Sequence, residues 1–80
     1  MMDASSDLYA FVFNAVRGIC DDRDRVHVAI LESPPRMTTL LIHCASKDAK
    51  FVQARLREIK IIAIAIGQRH KVIANVMLDN

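Results

Sequence analysis

The residues able to do chemistry are few and scattered. His27, His43 and His70 lie far apart in the chain, and no two stand four residues apart as zinc ligands on one helix do. Cys20 and Cys44 are the only cysteines, and their flanks carry no metal-type spacing. They are expected as two free, partly buried thiols rather than a bridge. Either could join a histidine as a nucleophile pair, but a chain of 80 residues has little room for a substrate cleft. No enzymatic activity is expected. Asp21, Asp22 and Asp24 form a carboxylate cluster, yet Arg23 and Arg25 interleave them and calcium-loop spacing is absent. That run reads as a solvated turn. Gly18 and Gly67 are the only glycines, so no phosphate-cradling or dinucleotide pattern exists. The expectation is no metal and no cofactor.

Charge is the remaining signal. Between Lys47 and Lys71 stand seven basic residues, Lys47, Lys50, Arg55, Arg57, Lys60, Arg69 and Lys71, against Asp48 and Glu58. The net of +5 there contrasts with −2 over Met1 to Arg25. A polyanion-facing end would follow, because neutralised phosphates release counterions. The bland alternative is a solvated helix face. The whole chain carries only +2, which excludes a uniformly basic nucleic-acid tail. Four aromatic residues and no tryptophan are too few for a base-stacking platform.

The elements that must position these residues follow from length and periodicity. At 80 residues with 52% hydrophobic content, the chain makes one small domain, residues 1–80, with the first six expected to be disordered. Leu8, Phe11, Val12, Ala15, Val16 and Ile19 fall at helical spacing after the capping residues Ser5, Ser6 and Asp7. Val26, Val28 and Ile30 alternate as in a strand, and Ser33-Pro34-Pro35 ends it. Met37 to Ala45 reads as a second strand, antiparallel to the first, with Thr39, Leu41 and His43 opposed to Leu40, Ile42 and Cys44.

Ser46 would cap the next helical segment. One uninterrupted helix from there would place Arg55 inside a stripe of Phe51, Val52, Ile59, Ile62, Ala63 and Ile66. A lone buried arginine is costly. A break near Gln53 to Leu56 is therefore expected, with a short helix before it, a longer one after it, and Gly67 as C-cap. The density of isoleucine in Ile59 to Ile66 leaves a hairpin with Lys71 to Leu78 open. Lys71 to Leu78 alternates as a third strand. Ile61, Ile64 and Ala65 point away from the stripe and are candidates for an interface. Nothing resembles a signal segment, and Ile59 to Ile66, interrupted by Lys60, is far short of a membrane span. A soluble cytoplasmic chain is expected.

The order helix, strand, strand, short helix, helix, strand resembles a type II KH domain, closest to the small single-domain bacterial KH proteins. The likeness covers nearly the whole chain. That family carries Gly-Lys-Val-Ile-Gly-Lys-x-Gly-x-x-Ile-Lys-x-Ile, where this chain has Ala49-Lys50-Phe51-Val52-Gln53-Ala54-Arg55-Leu56-Arg57-Glu58-Ile59-Lys60-Ile61-Ile62. Lys50, Val52, Ile59, Lys60 and Ile62 fit. The resemblance implies an α+β fold, α-β-β-α-α-β, with a three-stranded sheet packed against helices, and a helical Ile59 to Ile66. It also implies weak single-stranded RNA binding through Lys50, Gln53, Ala54, Arg55, Leu56, Arg57 and Lys60. Gln53 and Leu56 replace the two glycines that let a phosphate approach the main chain. The alternative expectation is a protein-interaction or homodimerisation module using Ile61, Ile64 and Ala65 or the last strand.

Overall fold

The computed structural model describes residues 3–79. Helix α1 runs Ala4–Ile19. Its N-cap is Asp3, whose carboxylate accepts the Ser6 N–H at 2.8 Å, and that bond holds the Asp3 carboxyl below its ordinary pKa. The cap thus lies ahead of Ser5, Ser6 and Asp7, and residues 4–6, expected to be disordered, are helical. Met1 and Met2 of that expected segment lie outside the described residues. Leu8, Val12 and Val16 form the buried stripe, flanked by half-buried Phe11, Ala15 and Ile19.

A single 3₁₀ turn, Arg23–Arg25, leads into strand β1, His27–Ser33, and then β2, Met37–His43. The two pair antiparallel, with Val28 opposite Ile42 and Ile30 opposite Leu40. The inward side chains of β2 are Thr38, Leu40 and Ile42, all buried. Strand β3, Ile73–Leu78, lies parallel to the other side of β2, giving the order β1-β2-β3. A parallel neighbour needs a crossover connection, and the second helix supplies it.

That helix, α2, spans Ala49–Arg69 without interruption, after a 3₁₀ turn at Ser46–Asp48. The α+β class and the three-stranded sheet agree with expectation, but the break near Gln53 to Leu56 does not form. The phase of the helix explains this. Its buried side is Val52, Leu56, Ile59, Ala63 and Gly67, so Arg55 lies outside, with a side chain 63% exposed. Phe51 and Ile62, assigned to the core by the sequence pattern, are also exposed. Ser46 does not cap this helix. The cap position belongs to Asp48, whose side chain turns elsewhere.

Gly67 is not the C-cap. It faces β3 within the last turns, and a Cβ there would stand 2.8 Å from the Val72 carbonyl oxygen and 3.2 Å from the Ala74 Cβ. The helix ends with Val72 N–H donating to Gly67 O at 2.9 Å and Lys71 N–H to Gln68 O at 3.1 Å. This is the Schellman pattern, and Lys71 fills its left-handed position with φ 59°. Isoleucine-rich 59–66 is therefore helical rather than one arm of a hairpin.

Both helices cover one face of the sheet, α1 over β1 and β2, and α2 over β3 and against α1. The core between the layers joins Leu8, Val12, Val16, Leu40, Ile42, Val52, Ile59 and Val76. Among the described residues, no helix is long and apolar enough to cross a membrane.

Candidate interaction surfaces

The residues expected to contact nucleic acid all lie on α2, but the straight helix divides them. At about 100° per residue, positions two apart point in nearly opposite directions. Arg57 and Lys50 share one flank, with Lys60 beside them. Arg55 points to the other flank, where it meets the Glu58 carboxylate at 3.4 Å. Ala54 and Arg55 instead line a shallow groove of about 420 Å³ with Phe51 and the end of α1, Gly18 and Ile19. Lys50 rests over the Phe51 ring at 5.2 Å. Gln53 is exposed, and Leu56 is buried in the core at 7% exposure. No turn forms at which a backbone could be approached by phosphate, and Leu56 has a packing role that glycine could not fill.

Of the expected interface residues, Ile61 is 60% and Ile64 46% exposed, and Ala65 is exposed too. They stand on the outer side of α2, next to Arg57 and Lys60. A second apolar surface includes the outward residues of the last strand, which the sequence offered as the alternative contact, and extends across the sheet to β2 and β1. Among the described residues, no element covers the face of the sheet away from the helices. Its three cross-strand rows follow from the register. Ala29, Leu41 and Met77 form one row; Leu31, Thr39 and Asn75 the middle row; Ser33, Met37 and Ile73 the third. Leu31 is 52%, Ile73 60% and Met77 48% exposed. Among the described residues of this face, from His27 through Met77, no Lys, Arg, Asp or Glu occurs. Its only titratable groups are His27 and His43 at one end, where His43 Nε2 stands 3.3 Å from the Asp79 carboxylate.

Asp48 is the buried polar group that sequence reasoning missed, since it stood there only as one of two acidic residues in the basic run. It is fully buried, and its two oxygens accept the N–H groups of Asp21 at 3.2 Å and Asp22 at 3.0 Å. One carboxylate thereby joins the end of α1 to the start of α2. At the opposite ends of the same helices, His70 Nε2 lies 2.7 Å from Asp7 Oδ2. A groove of about 590 Å³ separates the start of α1 from the β1–β2 turn; Asp3, Glu32 and Arg36 line it with charges of both signs. Ser5 Oγ donates to Glu32 at its rim. Among the described residues, no three His, Cys, Asp or Glu side chains converge as metal ligands. Compared with family models, curated proteins and solved structures, the chain finds no match.

Proposed function

We propose that this domain is a protein-interaction module that pairs with a second copy of itself through the open face of its sheet. The observation that supports this reading is the composition of that face: Leu31, Met37, Leu41, Ile73 and Met77 stand together on it and none of its described residues is Lys, Arg, Asp or Glu, in a chain of which 25% is charged. Interface cores are depleted of charged residues in the same way, and exposed contiguous apolar area marks contact surfaces. An uncharged patch does not repel its own copy, whereas the basic outer side of α2 does.

The rows also suit two-fold symmetry. With the axis along the middle row, Thr39 meets Thr39 of the second copy and Leu31 meets Leu31. Leu41 is then placed over Met37, and Met77 over Ile73. Thr39 and Asn75 then face their own copies and the large apolar side chains face one another, with Ala29 over Ser33 as the one mixed pair, in face-to-face sheet packing. Three strands about 4.8 Å apart and about 20 Å long present roughly 300 Å² per copy, below the size of a standard stable interface, so the dimer expected is weak and reversible.

Light scattering across micromolar concentrations tests the reading. The unmodified chain is expected to approach the mass of two copies. Replacing Leu31 and Met77 with lysine should give a folded monomer, because both positions are already half in solvent. A chain that stays monomeric, or a dimer indifferent to those lysines, refutes the proposal. Dissociation by Ile61→Glu with Ile64→Glu alone would place the contact on α2 instead.

One observation favours a second reading, weak single-stranded RNA binding. Lys50, Arg57 and Lys60 share a flank of α2, and the flank carries no carboxylate. Binding there would be sequence-tolerant and salt-sensitive. Arg57→Glu with Lys60→Glu should abolish it, while Arg55→Glu, on the other flank, should change it little. Retention of a random single-stranded RNA pool that ignores salt and both changes excludes this reading.

A further inference from the structure

Cys20 and Cys44 are 24 positions apart in sequence and adjacent in the fold. Cys20 ends α1 and is buried, at 4% exposure. Cys44 follows β2, is half-buried, and packs against the same core. Their thiols are within hydrogen-bonding reach of each other. Both backbones are held at this point. The N–H groups of Asp21 and Asp22, directly after Cys20, bind Asp48, and the Asp48 N–H in turn donates to Ala45 O at 2.9 Å, directly after Cys44. The two cysteines thus lie on restrained segments that share the Asp48 anchor and the same core, and Cys44 is the less buried residue of the two.

We propose that this pair is an oxidation site, closing an intramolecular Cys20–Cys44 disulfide by exchange with a small-molecule disulfide such as oxidised glutathione. Cys44, the less buried residue, acts first. Its thiolate attacks one sulfur of the small disulfide, the S–S bond breaks, and one glutathione leaves as thiolate and takes up a proton. Cys20 then loses its proton, attacks the Cys44 sulfur of the mixed disulfide and expels the second glutathione. The protein is oxidised by two electrons, and one oxidised glutathione becomes two reduced ones. The bridge spans β1 and β2 and joins the end of α1 to the segment that starts α2.

The two steps differ in pH dependence. Burial, reinforced by Cys44 and the nearby Asp48, pushes the Cys20 thiol up to about 11. At neutral pH only about one Cys20 in ten thousand is thiolate, so resolution of the mixed disulfide is slow and rises about tenfold per pH unit.

The test is incubation of the full chain in glutathione redox buffers, followed by acid quench, alkylation of remaining thiols and mass spectrometry. The expected product lacks two hydrogen atoms, carries no glutathione, and yields one cross-linked peptide containing Cys20 and Cys44. Closing this loop should raise the thermal midpoint by on the order of 10 °C, reversed by dithiothreitol. Cys20→Ser should halt at a stable Cys44 glutathione adduct. Cys44→Ser should remain unmodified while folded, because its only thiol is buried. Three results overturn the proposal: two unreacted thiols in the unmodified chain under excess oxidised glutathione, a glutathione adduct on it that fails to resolve faster as the pH is raised, or bridges between chains instead of within one.

Discussion

Gly67 and Gly18 both sit inside helices, yet the same substitution should act on them in opposite directions. An alanine at Gly18 meets nothing within 4 Å. It removes the backbone entropy that glycine loses on helix formation, and near a helix end this should stabilise by about 0.5–1 kcal/mol. At Gly67 the same propensity gain is present, but the new Cβ lies 2.8 Å from the Val72 carbonyl and 3.2 Å from the Ala74 Cβ. The first of these is backbone and cannot rotate away. It belongs to the residue whose N–H closes the Schellman motif on Gly67 O. Relief requires the end of α2 to lift from the start of β3. Overpacking of this kind costs about 1–3 kcal/mol, which outweighs the propensity gain and leaves Gly67→Ala destabilised by about 1–2 kcal/mol. Urea unfolding followed by far-ultraviolet circular dichroism, at matched protein concentration and in reductant, measures both variants on one scale. Equal stabilisation by the two alanines would refute the packing argument, because it would mean that Gly67 is tolerated rather than required.

Asp48→Ala should cost about 2–3 kcal/mol in the same assay, since it leaves the Asp21 and Asp22 N–H groups without their acceptor. Lys71→Gly should stabilise by about 0.5–1 kcal/mol, because glycine adopts the φ of 59° without strain. Cys20 sets a pH dependence with a definite sign: its folded pKa of about 11 exceeds the ordinary 9.0, so the unfolded chain releases this proton first. The associated stability is complete below pH 9, fades as pH rises toward 11, and amounts to about 2–3 kcal/mol. The difference between the reduced chain and Cys20→Ala across that window isolates it from other alkaline titrations; a constant difference would contradict the burial of this thiol.

Much of the architecture was readable along the chain. Period-two alternation places Val28, Leu40, Ile42, Ala74 and Val76 inside, and the helical spacing of Leu8, Val12 and Val16 identifies the inner side of α1. These patterns are local, and burial of one face is the only demand they express. The expected nucleic-acid residues fared differently. Lys50, Arg57 and Lys60 are neighbours because they share a helix flank, but Arg55 is not among them. Choosing Phe51 and Ile62 as core residues rotated the expected helix phase and forced Arg55 inward, and the break was introduced to relieve that conflict. Leu56 was available as the alternative anchor, one turn after Val52 and one before Ile59.

The surplus of isoleucine on α2 explains why phase was ambiguous. When apolar residues occur all round a helix, periodicity no longer selects a face, and only the shape of the partner layer does. Here that partner is β3, which approaches so closely at Gly67 that only a glycine fits. The parallel placement of β3, the contact between Cys20 and Cys44, and the clamp of Asp48 on Asp21 and Asp22 join residues more than twenty positions apart. Alternation and helical spacing reach only a few residues along the chain and specify which side of an element is apolar. Which elements then meet, which cysteines become neighbours, and which face of the sheet is left open depend on how those sides close over one another in three dimensions.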